Sequence, residues 1–212
     1  MDLFEVLEKR YSCRNYINKS INDEDIAKII NYASFAPSAG NLQQWQVIVV
    51  KNKEKRESLA IASLNQSWMK DAPIHLVILG NEEYVKKFYK VKGELYCKQD
   101  CAAFIENILL IATSLGIGSC WVGAFDNEMV KRELEIPDNL IPYSIITLGY
   151  SKEKNPNNKQ RYRLWSFTFF DKYGNRSKDD SLIPMEKYIP EIKEKSKNIF
   201  SEIKNKLIKH SK

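Results

Sequence analysis

Hydrophobic and polar positions alternate along this chain with two different periods, and the change from one to the other marks its elements. Asp2 followed by Glu5 is a capping-box start, and it predicts a first helix carrying Leu3, Phe4 and Leu7. Asn22 caps a second helix whose first turn holds Asp23, Glu24 and Asp25, where the helix dipole favours anions. Its apolar residues Ile26, Ile29, Ile30 and Ala33 have helical spacing, and Pro37 stops it. Residues 45–50 are a β-branched strand signal, and residues 73–80 are apolar on both faces, as a central strand requires.

Further helices are predicted over 53–64 and 127–134. A third helix, over 100–115, is apolar nearly all round and therefore buried. Residues 143–150 form a third strand, 151–163 are polar and irregular, and 165–170 form a fourth strand. From Met185 onward Ile192, Ile199, Ile203 and Leu207 stand at helical spacing. No repeat or linker divides the chain. The pattern is α+β, a mixed central sheet between helical layers, with a domain over 1–184 and a helical extension over 185–212.

Composition changes this picture little. With 212 residues, 43% hydrophobic and 28% charged, the chain reads as an ordinary globular protein able to bury a core. Its N-terminus is charged from Asp2 and has no signal-peptide character, and the uncharged run 107–125, interrupted by Thr113, Ser114, Gly116, Gly118 and Ser119, reads as a buried helix running into a turn. A cytoplasmic protein without membrane contact is expected. The four cysteines, Cys13, Cys97, Cys101 and Cys120, read as reduced thiols. Cys97 and Cys101 have the spacing to share a metal, but only His75 and His210 are available to complete a site, so none is expected. The net charge of +6 is concentrated in residues 193–212, where seven Lys face two Glu. This is a solvated helix face, or a contact for anionic lipid or nucleic acid; the first is expected, with no nucleic-acid partner.

The chemistry is constrained by what is missing. There is no Ser-His-Asp set, HExxH or P-loop, and His75 sits in mid-strand as a core residue. An enzyme built this way would leave the reaction to a cofactor and use no catalytic side chain of its own. Arg10, Ser12 and Arg14 alternate where the first helix gives out, so on extended backbone they would point one way, toward an anion suited to the guanidinium fork. The same residues also read as a plain basic helix end. Pro37, Ser38, Ala39, Gly40 and Asn41 make a small-residue turn that exposes amides to a heterocycle edge, or simply a turn. The glycines at 116, 118 and 123 follow a helix instead of a strand, with the last too late for a dinucleotide fingerprint. Arg161 and Arg163, near Lys159, form a later basic pair.

Taken in order, Arg-x-Ser-x-Arg at 10–14, APSAGNLQQWQVIVV at 36–50, DAPIHLVILG at 71–80, SLGIGSCWVGAF at 114–125, IPYSIITLGY at 141–150 and the basic pair before 170 resemble the nitroreductase family of flavoproteins. The resemblance implies an intertwined homodimer with two FMN molecules at the subunit interface. It places Arg10 and Ser12 on the phosphate or ribityl chain, Arg14 at the pyrimidine edge, and Arg161 and Arg163 on the phosphate. Pro37, Ser38, Ala39 and Asn41 would reach the flavin from the other subunit, Val122 and Gly123 would lie near its reactive nitrogen, and Asn65 would approach the pyrimidine carbonyls. Hydride would pass from NADH or NADPH through the flavin to a nitroaromatic, a quinone or another electron-poor acceptor, in a pocket that could use Phe104, Phe125 or tyrosines. A dehydrogenase or dehalogenase of the same fold, or a flavin-storing protein, are the other readings. The chain departs from the family in having Gln44 where Pro is usual, Tyr11 where a second Arg often stands, and a longer tail.

Overall fold

A computed structural model of the chain describes residues 1–153 and 161–176. They fall into two units divided after Asn157. In the first, the elements run α1 (Leu3–Lys9), α2 (Asp23–Ala33), β1 (Gln46–Val50), α3 (Lys53–Ala62), β2 (Ile74–Gly80), α4 (Glu82–Tyr89), α5 (Gly93–Ser114), β3 (Gly118–Val122), α6 (Asn127–Leu134) and β4 (Ile141–Gly149). The second contains one described helical turn, α7 (Leu164–Phe167).

Short polar side chains start most of these helices. Asp2, Asn22, Asn52, Asn81 and Asp126 each accept a hydrogen bond from the backbone N–H three residues on, at 2.6–2.9 Å. The four strands of the first unit pair antiparallel in the order β1-β2-β4-β3. Every residue of β2 is buried, as a central strand demands. Its alternation assigns the two faces. Leu76 and Ile78 pack with Ile26, Ile29, Phe104 and Ile108 of α2 and α5, while Val77 and Leu79 pack with Leu59 and Val130 of α3 and α6. The sheet therefore lies between two helical layers.

The structure corrects several expectations. Residues 118–122 are a strand, not a turn. Helix α5 ends in a Schellman motif: Gly116, at φ +73°, donates to Thr113 O and Ile117 donates to Ala112 O. That abrupt stop frees Gly118–Val122 to pair with β4. The aromatic run expected as a strand at 165–170 instead contains the turn α7, whose Ser166 N–H and hydroxyl both bond Arg163 O. β-propensity expresses itself through a partner ladder, and the described residues of this unit supply none. Helix α5 begins seven residues before residue 100, because its first turns are solvated and carry a Glu94–Lys98 pair instead of apolar spacing. Phe104 is 1% exposed and stacked on Trp45, so it is core and lines no pocket; Phe125 packs partly buried on the other face of the sheet. The apolar stripe of α1 faces outward, with Phe4 76% exposed and only Val6 buried. The tail beyond 176 lies outside the described residues.

His75 is a core residue. Its Nε2–H donates to Met69 O at 2.9 Å, and Nδ1 has no partner among the described residues. Burial lowers its pKa to about 4, against the pull of that bond. An unfolded imidazole takes up its proton below about pH 6.5. This contribution to stability is therefore complete above pH 6.5 and is lost as pH falls toward 4, by about 3 kcal/mol in all. Urea midpoints measured from pH 7 to pH 4 should fall more steeply for the native chain than for His75→Gln. Parallel profiles would refute the assignment.

Candidate functional site

The chain leaves α1 at Arg10 in extended conformation and runs beside the edge of the sheet. Ser12 forms a parallel bridge with Ser119 of β3, and Cys13 N–H donates to Ser119 O at 2.9 Å. Alternation then sorts the side chains. Cys13 is buried and Tyr11 half-buried on one side, while Ser12 and Arg14 stand exposed on the other. The parallel direction carries Arg14 toward Trp121, Val122 and Gly123 at the far end of β3, so five of the expected residues (Arg10, Ser12, Arg14, Val122 and Gly123) share one edge.

This approach depends on two glycines. A Cβ at Gly118 would meet Cys13 Sγ at 2.9 Å, and one at Gly149 would meet the Tyr16 ring at 2.6 Å. Tyr16 fixes the segment from behind. Fully buried, it donates to Cys13 O at 2.7 Å and lies 2.8 Å from Thr147 Oγ1 of β4, and burial drives its pKa far upward. Burial also raises the Cys120 thiol, while the Arg14 charge and the Ser12 hydroxyl beside it act in the opposite sense. Arg14 lies 5.8 Å from the centre of the Trp68 ring. Arg10 Nε stands 3.8 Å from Glu106 Oε1 on α5.

The second segment is a 3₁₀ turn, Ala39–Asn41, held elsewhere. Ser38 Oγ accepts from Gln43 N–H at 3.1 Å, and Asn41 Oδ1 accepts from the Gln43 side-chain amide at 3.0 Å. Ala39 N–H donates to Asp100 Oδ1 on α5 at 3.0 Å. Pro37 and Asn41 are exposed, and Ser38 and Ala39 half-buried. Asp100 and Glu106, which hold the two segments, are six residues apart on one helix, hence about 9 Å along its axis and about 120° around it. The two segments are thus anchored to different faces of α5.

Of the remaining expected residues, Asn65 is exposed at the end of α3 with φ +57°. Arg161 and Arg163 are exposed in the second unit, Arg163 as the residue before α7. A cavity of about 470 Å³ lies beside the first segment, lined by Lys9, Tyr11, Lys19, Gly118, Ser119 and Tyr150 among others. Its walls do not include Arg10, Ser12 or Arg14. Among the described residues no group of three or more His, Cys, Asp or Glu is placed to hold a metal, and no helix is long and apolar enough to cross a membrane. All four cysteines are free and buried. The sequence marks Gln44 only as a departure from the family, and gives Tyr16 and Asp100 no role. Asp100 did leave a signal, as an acid directly ahead of the apolar residues Cys101–Ile105.

The chain was compared with known proteins. The profile of a family described as "Nitroreductase family" matches residues 7–66 and 60–150. A protein of Archaeoglobus fulgidus, provisionally described as an NADH dehydrogenase/NAD(P)H nitroreductase, is 36% identical over 157 residues, 72% of this chain and 87% of its own. The crystal structure of a nitroreductase family protein from Clostridium difficile 630 superposes with a TM-score of 0.73 at 30% identity, covering 81% of this chain and 99% of the other. The structure of an FMN-dependent nitroreductase from another Clostridium difficile strain gives a TM-score of 0.68 at 27% identity, over 80% and 99% of the two chains.

Proposed function

The chain belongs to the nitroreductase family, and from that premise we propose that it is an FMN-dependent oxidoreductase, a homodimer that passes hydride from NAD(P)H to an electron-poor acceptor such as a nitroaromatic or a quinone. The observation that carries this reading is the extended segment beside β3. It presents the Ser12 hydroxyl and the Arg14 guanidinium on its exposed side, after a half-buried Arg10, and runs toward the backbone of Val122 and Gly123. That donor set suits a phosphate at one end and an electron-rich heterocycle at the other.

Bound FMN would supply the hydride relay. The chain's own residues bind, orient and polarise. Arg10 and Ser12 hold the phosphate and ribityl end. Arg14 puts a positive charge at the pyrimidine edge, where negative charge gathers on reduction. The Val122–Gly123 backbone lies against the reactive ring. The turn with Pro37, Ser38, Ala39 and Asn41 reaches the flavin of the other copy, in keeping with its anchor on a different face of α5. Exposed Leu3, Phe4 and Leu7 supply apolar surface for that second copy. Buried, neutral His75 takes no part, and the relay asks for no protein acid or base. Four free thiols and a nicotinamide donor fit a cytoplasmic protein.

The visible spectrum of the purified protein, with mass analysis of the released cofactor, tests this directly. FMN is expected, together with NADH- or NADPH-dependent reduction of menadione and a nitrofuran. Protein that neither carries nor takes up FMN would overturn the proposal, and a yellow protein without turnover would remove the reductase part of it.

A further inference from the structure

The backbone over residues 39–43 is left-handed at three positions, which Gly40 and Asn41 favour and Gln43 does not. Gly40 and Asn41 both stand at φ +56° and Gln43 at φ +45°, so two of the three left-handed positions lack the freedom of glycine. Such backbone persists only where its surroundings over-determine it. Here the surroundings are one face of α5, at Cys97, Asp100 and Cys101, spaced i, i+3 and i+4.

Two buried side chains make the connection. Asp100, 5% exposed, receives the Ala39 N–H, and its Oδ2 has no partner among the described residues. Gln44, also 5% exposed, spends its whole amide. Its Oε1 accepts from Asn81 N–H at 2.8 Å and from the Cys97 thiol at 3.2 Å, and its Nε2 donates to Cys97 O at 3.2 Å and Cys101 Sγ at 3.4 Å. No ion pair of Asp100 with a cation occurs among the described residues, and burial raises its pKa. Keeping a desolvated carboxyl for a single backbone N–H is costly, unless that N–H must be held in place.

We propose that Asp100 is a positioning residue for the flavin site, which with Gln44 clamps the turn over residues 37–43 to α5 so that Ala39 and Asn41 are presented to the flavin in one fixed arrangement. This rests on the flavin reading above. It assigns Asp100 no contact with cofactor or substrate. Its effect passes through Ala39.

Asp100→Ala and Asp100→Asn in the full chain test it, with FMN affinity read by fluorescence titration and amide exchange read on the peptide covering 37–44. The alanine variant should bind FMN about tenfold more weakly and exchange faster in that peptide, with KM for NADH unchanged at saturating FMN. Asparagine keeps an oxygen to accept the Ala39 N–H, and should restore affinity to within about twofold of wild type. If the alanine variant does not fold, Asp100→Ser, too short to reach Ala39, replaces it in the comparison. Wild-type affinity in the variant that cannot accept, or an asparagine variant as weak as alanine, overturns the positioning role. A native chain that binds no FMN fails the flavin reading instead. The exchange data then judge the clamp by itself, and unchanged protection over 37–44 overturns that too.

Discussion

Arg14→Ala is expected to lower FMN affinity about 10- to 100-fold and to shift the bound flavin's reduction potential downward, while barely changing the stability of the apoprotein. The separation follows from where Arg14 sits. Its side chain is on the open side of the extended segment, in contact with the Trp68 ring at 5.8 Å and buried in no cluster. A cation–π contact at an exposed site is worth about 0.5–1 kcal/mol, which for a chain of this size moves the melting midpoint by about 1–4 °C. A charge-assisted hydrogen bond to the flavin is worth about 1.5–3 kcal/mol, which sets the size of the affinity loss. Arg14→Lys keeps the charge and loses the planar fork, so it should fall between the two in affinity and near wild type in potential. Fluorescence titration and dye-coupled reduction measure both quantities. Unchanged affinity and potential in the alanine variant would move the pyrimidine edge away from Arg14.

Phe104→Ala should have the opposite profile, a large loss of stability with FMN affinity preserved in the folded fraction. The ring is 1% exposed, stacked on Trp45 with centroids 4.9 Å apart, and surrounded by apolar residues of α2, β2 and β4. Truncating a buried phenylalanine costs about 3–5 kcal/mol, through lost transfer free energy and the cavity left behind. Against a total stability of about 5–15 kcal/mol for a folded domain, that is about a fifth or more. Phe104→Leu should recover more than half of the loss. Urea unfolding at pH 7 reads the difference; a loss below about 1.5 kcal/mol would mean that this part of the core collapses around the gap.

Some of the molecule could be read directly from residue order, because its causes are local. The caps at Asp2 and Asn22 act over three residues, and the apolar spacing of Ile26, Ile29 and Ala33 needs only a helix to express itself. The same holds for β2, whose seven buried residues could belong only to a central strand. The stretch 118–122 was misread because its meaning depends on α5 stopping at Gly116 and on β4 waiting beside it, 23 residues further along the chain at Ile141. Residues 164–167 show the reverse: a strand-like composition forms a helical turn where no ladder is at hand.

The candidate site divides in the same way. The sequence by itself determined the chemical inventory: three donors at alternate positions 10, 12 and 14, a small-residue turn at 37–41, no nucleophile with a histidine, and an order of motifs that places the chain in its family. The tertiary structure alone decided which of these share an edge. It laid Ser12 against Ser119, turned Cys13 inward under Tyr16, and tied the second segment to another face of α5 through Asp100. The physical reason is that a side chain's type is a property of one position, whereas its direction is set by a backbone hydrogen bond. The bonds that tie the two segments down, Ala39 to Asp100 and Cys13 to Ser119, join residues far apart in the chain, and no local spacing records them.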